Sequence, residues 1–342
     1  MLTFESKITD LIRSLATSLQ LSMLLPAMLL VSGIAWLVNP SALKGNNELL
    51  AALGVIALTV SYLFNAFNMV FLRMLEGYVE GDSMPLSLLR DYQLCKFFRH
   101  HQRIHKYQQN INSIKSYKSK LAFERKLSLE ERQKLEAWER SWRDQIIHEM
   151  ERLEERYPPT PDRIMATGLG NTIAAFELYP ERRYHIDYET LWTRFVPTIM
   201  EKKYAGFIES EKTLLDFFVN LLVVIALLWS VAVIVFACTG QIVAGVLFIL
   251  LPLFAYILYK GSCVAASNWG ITVKASFDLY RHELKKALNL ELPENATLED
   301  ERRMWRDISE FLAYGRERDT PAFDYTPWRA DKTPTSSKEA LL

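Results

Sequence analysis

At 342 residues the chain has room for two or three domains of ordinary size. Half of it is hydrophobic, and 40 basic residues balance 40 acidic ones, so it lacks the basic excess that a nucleic-acid surface needs. Its three cysteines, Cys95, Cys238 and Cys263, are too few and too scattered for a disulfide framework or a zinc knuckle.

The apolar residues are segregated. Residues 20–38, 49–72, 214–237 and 242–260 are almost wholly apolar, while 75–212 and 261–342 are heavily charged. This predicts an all-α integral membrane protein, with four transmembrane helices in two pairs and a helical cytosolic domain inserted between the pairs. Residues 1–18 carry Phe4, Ile8, Leu11, Ile12 and Leu15 on one helical face and Glu5, Lys7, Asp10 and Arg13 on the other. That stripe suits a helix lying at the membrane interface and equally one packed on the domain. A first transmembrane hairpin follows over 19–74, with spans at 19–38 and 49–72. Pro26 and Gly33 are tolerable inside a membrane helix, and Asn39-Pro40 stops the first span. The run does not read as a cleaved signal peptide, because an amphipathic stretch precedes it and no small-x-small cleavage site follows.

Residues 75–212 form the predicted cytosolic domain: a long helical hairpin over 84–157 and a compact unit over 158–212. Ile104, Tyr107, Ile111 and Ile114 recur at heptad spacing on the first arm. Ser128 stands three residues before Glu131, the signature of a capping box that opens the second arm. That arm shows Leu135, Trp138, Trp142, Ile146, Met150 and Leu153 at spacings of three or four, and ends at Pro158-Pro159. A free-standing coiled coil and a packed bundle both fit. In the compact unit, "TIAAFEL" predicts a short helix, "YPERRYHID" a loop, and "YETLWTRFVPTIM" a helix broken near Pro197.

A second transmembrane hairpin is predicted over 213–262. From Phe217 to Tyr259 there is no charged residue. As one helix, 214–259 would be about 69 Å long, twice what a bilayer needs, so it must fold back at Cys238-Thr239-Gly240-Gln241. The last span runs on as a helix with Trp269, Val273, Phe277, Tyr280, Leu284 and Leu288 on one face. A further helix over 297–314, N-capped by Thr297, completes the C-terminal part (263–315). Residues 316–342, rich in Pro, Thr, Ser and charge, read as a flexible tail. The segment 75–212 holds 23 of the 40 basic residues and the loop 39–48 holds only Lys44. The positive-inside rule then places both termini and the domain in the cytosol.

The segment "RIMATGLGNTIAAFELYPERRYHIDYETLWTRFVP" (163–197) resembles a recurring segment of uncharacterised bacterial multi-pass membrane proteins. The shared positions are Thr167, Leu169-Gly170-Asn171, Glu177, Tyr179-Pro180, Arg183-Tyr184, Asp187, Trp192, Arg194 and Pro197. The C-terminal "FDLYRHELKKALNLELPENATLEDERRMWRDISEFLAYG" looks like the end of such proteins. The resemblance implies a location in the bacterial inner membrane and implies no reaction.

Three constellations are candidate sites. Asn65 and Asn68 near the cytosolic end of the second span match the depth of Asn220 and Asp216 in the third. They suit either interhelical hydrogen bonding or a polar ring at the inner mouth of an oligomeric pore, where Asp216 would attract cations. Gly170, Asn171, Glu177, Arg183, Asp187 and Arg194 suit either an ion-pair and turn network or a clamp for an anionic ligand, with the "GLGN" backbone offering N–H groups. His101 and His105, one turn apart, are weak metal candidates with His148 on the other arm. No motif for a hydrolase, a phosphate loop or a zinc protease is present, so no catalytic residue and no cofactor are expected. The sequence thus points to an oligomeric inner-membrane protein, an ion channel or membrane-perturbing effector gated by its helical domain. Its expected partners are the lipid bilayer, further copies of itself, and a cytosolic protein or small anionic ligand. The alternatives are a membrane-anchored scaffold or sensor, and a membrane enzyme using the Glu177–Arg194 cluster.

Overall fold

The computed structural model of the protein describes residues 21–39, 47–77, 84–124, 128–200, 204–293 and 295–315. The expected interfacial helix at 1–18, most of the loop at 39–48 and the tail from 316 lie outside the described residues. Every regular element among the described residues is helical: α1 Leu21–Val38, α2 Asn47–Glu76, α3 Met84–Glu124, α4 Leu129–Arg156, a short 3-10 turn at Pro161–Arg163, α5 Gly168–Tyr184, α6 Tyr188–Met200, α7 Tyr204–Thr239, α8 Ile242–Ala287 and α9 Leu298–Tyr314. Three of them, α2, α7 and α8, are long and apolar enough to cross a membrane; α1 is apolar and shorter.

The chain divides into two compact units. Met1–Phe176 and Phe207–Val273 form the first; Glu177–Gly206 and Lys274–Leu342 form the second. Within the first unit Gly168 and Phe176 contact Tyr259 and Trp269 of α8 and Thr167 meets the end of α2; in the second, Phe195 and Asp187 meet Phe277 and Ser309.

In the first unit, Met23, Ala27 and Leu30 of α1, Phe64 of α2, and Val224 and Leu228 of α7 share one buried cluster. A second joins Leu222 and Ile225 of α7 to Leu258 of α8, with Leu75 and Tyr259 against it. The outward faces carry exposed Val55, Phe67, Ile234, Ile249 and Leu253. Apolar surface of this extent is compatible with lipid as the solvent. The fold-back between α7 and α8 takes only two non-helical residues, Gly240 and Gln241. Gly240 adopts φ +64°, the left-handed conformation glycine reaches without strain. Trp229 donates its indole N–H to the Phe248 carbonyl (3.0 Å) across this tight pair and stacks on the Phe248 ring.

Helices α3 and α4 pair antiparallel, as His100–Glu149, Tyr107–Trp142 and Lys118–Glu139 show in descending order. The capping box at Ser128 and Glu131 is formed at the start of α4. The first-arm seam follows the expected heptads through Ile104, Tyr107, Ile111 and Ile114. On the second arm the seam differs from the apolar stripe. Trp138 is 61% exposed and Met150 49%, while Glu139 and Glu149 turn inward. They do so because the facing arm supplies cations: Lys118 reaches Glu139 (2.9 Å), and His100 (2.5 Å) and Arg103 (3.3 Å) reach Glu149. Burial alone would push the Glu149 carboxyl up; its hydrogen bonds from His100 and Arg103 outweigh that and hold it below the usual carboxylate value.

The second unit is built on aromatic packing. Phe195 of α6 stacks on Phe277 of α8 at 4.6 Å, with Trp192 and Tyr188 beside them, and Trp305 of α9 is fully buried. Two prolines behave differently from expectation. Helix α5 continues through Pro180 to Tyr184, and α6 is continuous through Pro197. Each proline removes one N–H from the ladder, and at Pro197 the fully buried Phe195 and Ile199 on either side hold the helix together. Thr297 forms a capping box with Asp300 at the start of α9, and α8 ends in a Schellman motif around left-handed Asn289.

Left-handed His185 ends α5, and its Nδ1 accepts a hydrogen bond from Arg306 at 2.6 Å. Burial first, then Arg306 and Arg302, pushes the His185 pKa below its usual value, against the weaker pull of Glu299 and Glu181. The neutral ring therefore belongs to the folded state. Stability from this group is present above the unfolded pKa of about 6.5 and is lost as pH falls through the lower folded value. The melting temperature of the purified protein is expected to fall between pH 7 and pH 5, with a shallower slope in His185→Gln; an unchanged slope would remove His185 as the cause.

Candidate functional site

The sequence-derived residues fall into separate places. Among the polar residues of the long apolar helices, Asn68, Asp216 and Asn220 are buried inside the helical packing while Asn65 is exposed. Phe64 of α2 and Val224 of α7 belong to one buried cluster, so the two helices meet there. One turn from Phe64 comes Asn68; one turn before Val224 comes Asn220. Each amide therefore stands one helical turn from that shared cluster. Asn220 Nδ2 donates to the Ser22 carbonyl (3.4 Å), while the amide oxygens of Asn68 and Asn220 have no hydrogen-bond partner among the described residues. Asp216, one further turn along, accepts both its hydrogen bonds from Lys212 at 2.8 and 3.1 Å.

The anion-clamp residues are split between the two units. Gly170 and Asn171 lie in the first; Glu177, Arg183, Asp187 and Arg194 lie in the second. The N–H groups of the "GLGN" turn are already engaged: Gly168 and Leu169 donate to the Tyr259 hydroxyl (2.8 and 3.2 Å) and Gly170 to Thr167 Oγ1 (2.9 Å). In return, the Thr167 hydroxyl donates to the carbonyls of Leu75 (2.7 Å) and Glu76 (3.0 Å), capping the end of α2. Fully buried Asn171 closes the turn, its Oδ1 accepting from Met165 N–H and its Nδ2 donating to the Met165 and Thr167 carbonyls. Gly170 is required by space: a Cβ there would stand 2.1 Å from the Glu76 carbonyl oxygen. This segment is a joint that ties α5 to the end of α2 and the middle of α8.

In the second unit, Asp187 accepts from the Thr190 hydroxyl and its N–H donates to Ser309 (3.1 Å), while Arg194 donates to the Thr190 carbonyl of its own helix. The Arg183 carbonyl accepts from Arg302 (3.0 Å). The hub of this unit is Asp278, which sequence reasoning missed. It accepts from the hydroxyls of Tyr179 (2.9 Å) and Tyr184 (2.6 Å), and Arg281 lies 4.3 Å over the Tyr184 ring while pairing with Glu301 (2.9 Å). Burial and then the Asp278 carboxylate push both phenol pKa values up, so both tyrosines remain donors. Only the resemblance segment flagged the tyrosines, and no local pattern marks their partner 94 to 99 residues away.

His101 and His105 face out of the hairpin seam; His101 packs on the Phe97 ring and His105 meets Gln109. His148 pairs loosely with Glu151 on its own helix. Among the described residues no group of three His, Cys, Asp or Glu is placed to hold a metal ion. The inward histidine is His100, one position from those singled out.

An opening adjoining these features lies at the foot of the hairpin, within the first unit. It has a volume of about 850 Å³ and is bordered by the last turn of α2, the first turns of α3, the end of α4, the Thr167 joint and residues 256–268 of α8. Lys96, Arg156 and Lys260 line it against one acid, Glu155. Tyr157 donates to Gln93 (3.4 Å) in its wall, and burial pushes its hydroxyl above the usual phenol range. Sequence reasoning did not find this opening, because its walls come from five separate stretches of the chain.

Comparison with known proteins yields no match to a protein family, a curated sequence or a solved structure.

Proposed function

We propose that the protein is a four-span membrane protein that holds a helical hairpin on the cytosolic face of a bacterial inner membrane, acting there as an anchored scaffold or sensor for a soluble protein. The observation that carries this reading is the construction of the hairpin. Its seam is closed by partly buried ion pairs between the arms, yet Trp138 stands exposed on the second arm. Exposed tryptophan is costly in water and is a preferred anchor at protein interfaces. A photoreactive side chain at position 138 should yield one discrete adduct with a soluble protein in intact cells, and one at exposed Ile271 should not. Adducts only with lipid or with the chain itself would reject the scaffold reading.

A second reading is supported by the unpartnered amide oxygens of Asn68 and Asn220 beside Asp216. In it, copies of the chain assemble and the polar layer admits a cation. Asp216→Asn should then change ion flux in liposomes, whereas an anchor leaves flux at the lipid background in both proteins. The Glu177–Arg194 enzyme reading has less support, since its residues hold helix ends and turns.

A further inference from the structure

The opening at the hairpin's foot stands where the apolar helices end. Met74 and Leu75 border it from the last turn of α2, and Tyr256, Tyr259 and Lys260 from α8. Lys260 is the first charge after the uncharged run 217–259. In a bilayer this is the depth of tyrosine belts and lipid headgroups. Three cations from three distant parts of the chain meet there: Lys96 from α3, Arg156 from α4 and Lys260 from α8. None of the three has an ion-pair partner among the described residues, although ion pairs are frequent elsewhere on the same arms. Lys96 and Lys260 lie over the rings of Tyr92 and Tyr256, and with Glu155 as the one acid in the lining the opening keeps an excess of positive charge that favours an anion. The apolar side of the same opening is exposed, with Met74, Leu89 and Val264 facing outward. A ligand matching both sides has a phosphate at one end and hydrocarbon at the other.

We propose that this opening binds the phosphate of an anionic phospholipid, with Arg156 and Lys260 on the phosphate oxygens and Lys96 at its edge. Arginine suits the role because its fork matches a phosphate bidentately, and a lysine adds a compact charge. The volume of about 850 Å³ accommodates a headgroup with its glycerol. The proposal is independent of what the hairpin binds.

The test uses the full chain in mild detergent doped with equal mole fractions of phosphatidylglycerol and phosphatidylcholine. Native mass spectrometry reads the lipids retained. The wild-type chain should keep phosphatidylglycerol over phosphatidylcholine by at least about fivefold, and Arg156→Gln with Lys260→Gln should bring the ratio to near one. Lys134→Gln, which removes an exposed charge paired to Glu130 on the second arm, should leave the ratio unchanged. A second measurement needs no variant: phosphatidylglycerol should slow acetylation of Lys96 and Lys260 in the wild-type chain but not of Lys134. Millimolar glycerol 3-phosphate separates the sources. If it displaces the lipid, the site reads the phosphate of a soluble ester as well; if it does not, the acyl chains are required. No preference in the wild-type chain, or equal slowing of acetylation at Lys134, overturns the proposal.

Discussion

Gly170→Ala is expected to lose about 3 kcal/mol of stability and to leave most of the protein unfolded or degraded in cells. The added Cβ would lie 2.1 Å from the Glu76 carbonyl oxygen and 2.9 Å from its carbon. Both are backbone atoms, so no rotamer change relieves the clash. The helix end can shift away only by breaking the Thr167 hydrogen bonds to the Leu75 and Glu76 carbonyls. Asn171→Asp is the companion variant. It keeps the size of the side chain but turns an amide that donates to two carbonyls into a carboxylate facing them. Melting in detergent, followed by helical circular dichroism, should show both variants far below wild type. Gly206→Ala is the control, since a Cβ there meets nothing within 4 Å. A Gly170→Ala protein that melts with the wild type would mean that the joint is not packed as described.

Lys212→Met is expected to cost a similar amount, about 3 kcal/mol, and to be rescued by a second change. Asp216 is almost fully buried and both its oxygens are served by Lys212. Removing the ammonium leaves a buried carboxylate that has lost the hydrogen bonds to both its oxygens. The partial exposure of Lys212 lets water reach the pair, which keeps the cost below that of a wholly buried bridge. Asp216→Asn alone should cost about 1 kcal/mol, because an amide is cheaper to bury than a charge. The double variant, Lys212→Met with Asp216→Asn, should melt within a few degrees of Asp216→Asn. If the double variant is instead as unstable as the sum of the two singles, the residues act separately and the pair is not the reason Asp216 is tolerated.

Much of the architecture is legible in the sequence for simple physical reasons. The uncharged run 217–259 is too long for one crossing, so the position of the fold-back follows from bilayer thickness and from Gly240. Ser128 and Thr297 mark helix starts because their hydroxyls satisfy N–H groups three residues on, a purely local event. The seam of the second arm is less legible. Counting apolar residues selects Trp138 and Met150, whereas the folded chain buries Glu149 and half-buries Glu139, and only knowledge of Lys118 and His100 on the other arm makes that favourable. Pro180 and Pro197 read as breaks because local chemistry argues for breaks; packing on both sides overrides them. The "GLGN" turn is visible as a special backbone feature. Its use is not visible, since the atoms it meets belong to Glu76 and Tyr259, each about 90 residues away.

The polar rungs of the hairpin have a mechanical consequence. Gln93 meets Tyr157, His100 meets Glu149 and Lys118 meets Glu139. Sliding one arm past the other by two turns would break all three pairings, so the pair moves as one rod. At 1.5 Å per residue, the 41 residues of α3 give it a length of about 60 Å. A tilt of about 5° at its foot, beside the cationic opening, sweeps the far tip through about 5 Å, roughly one helical turn.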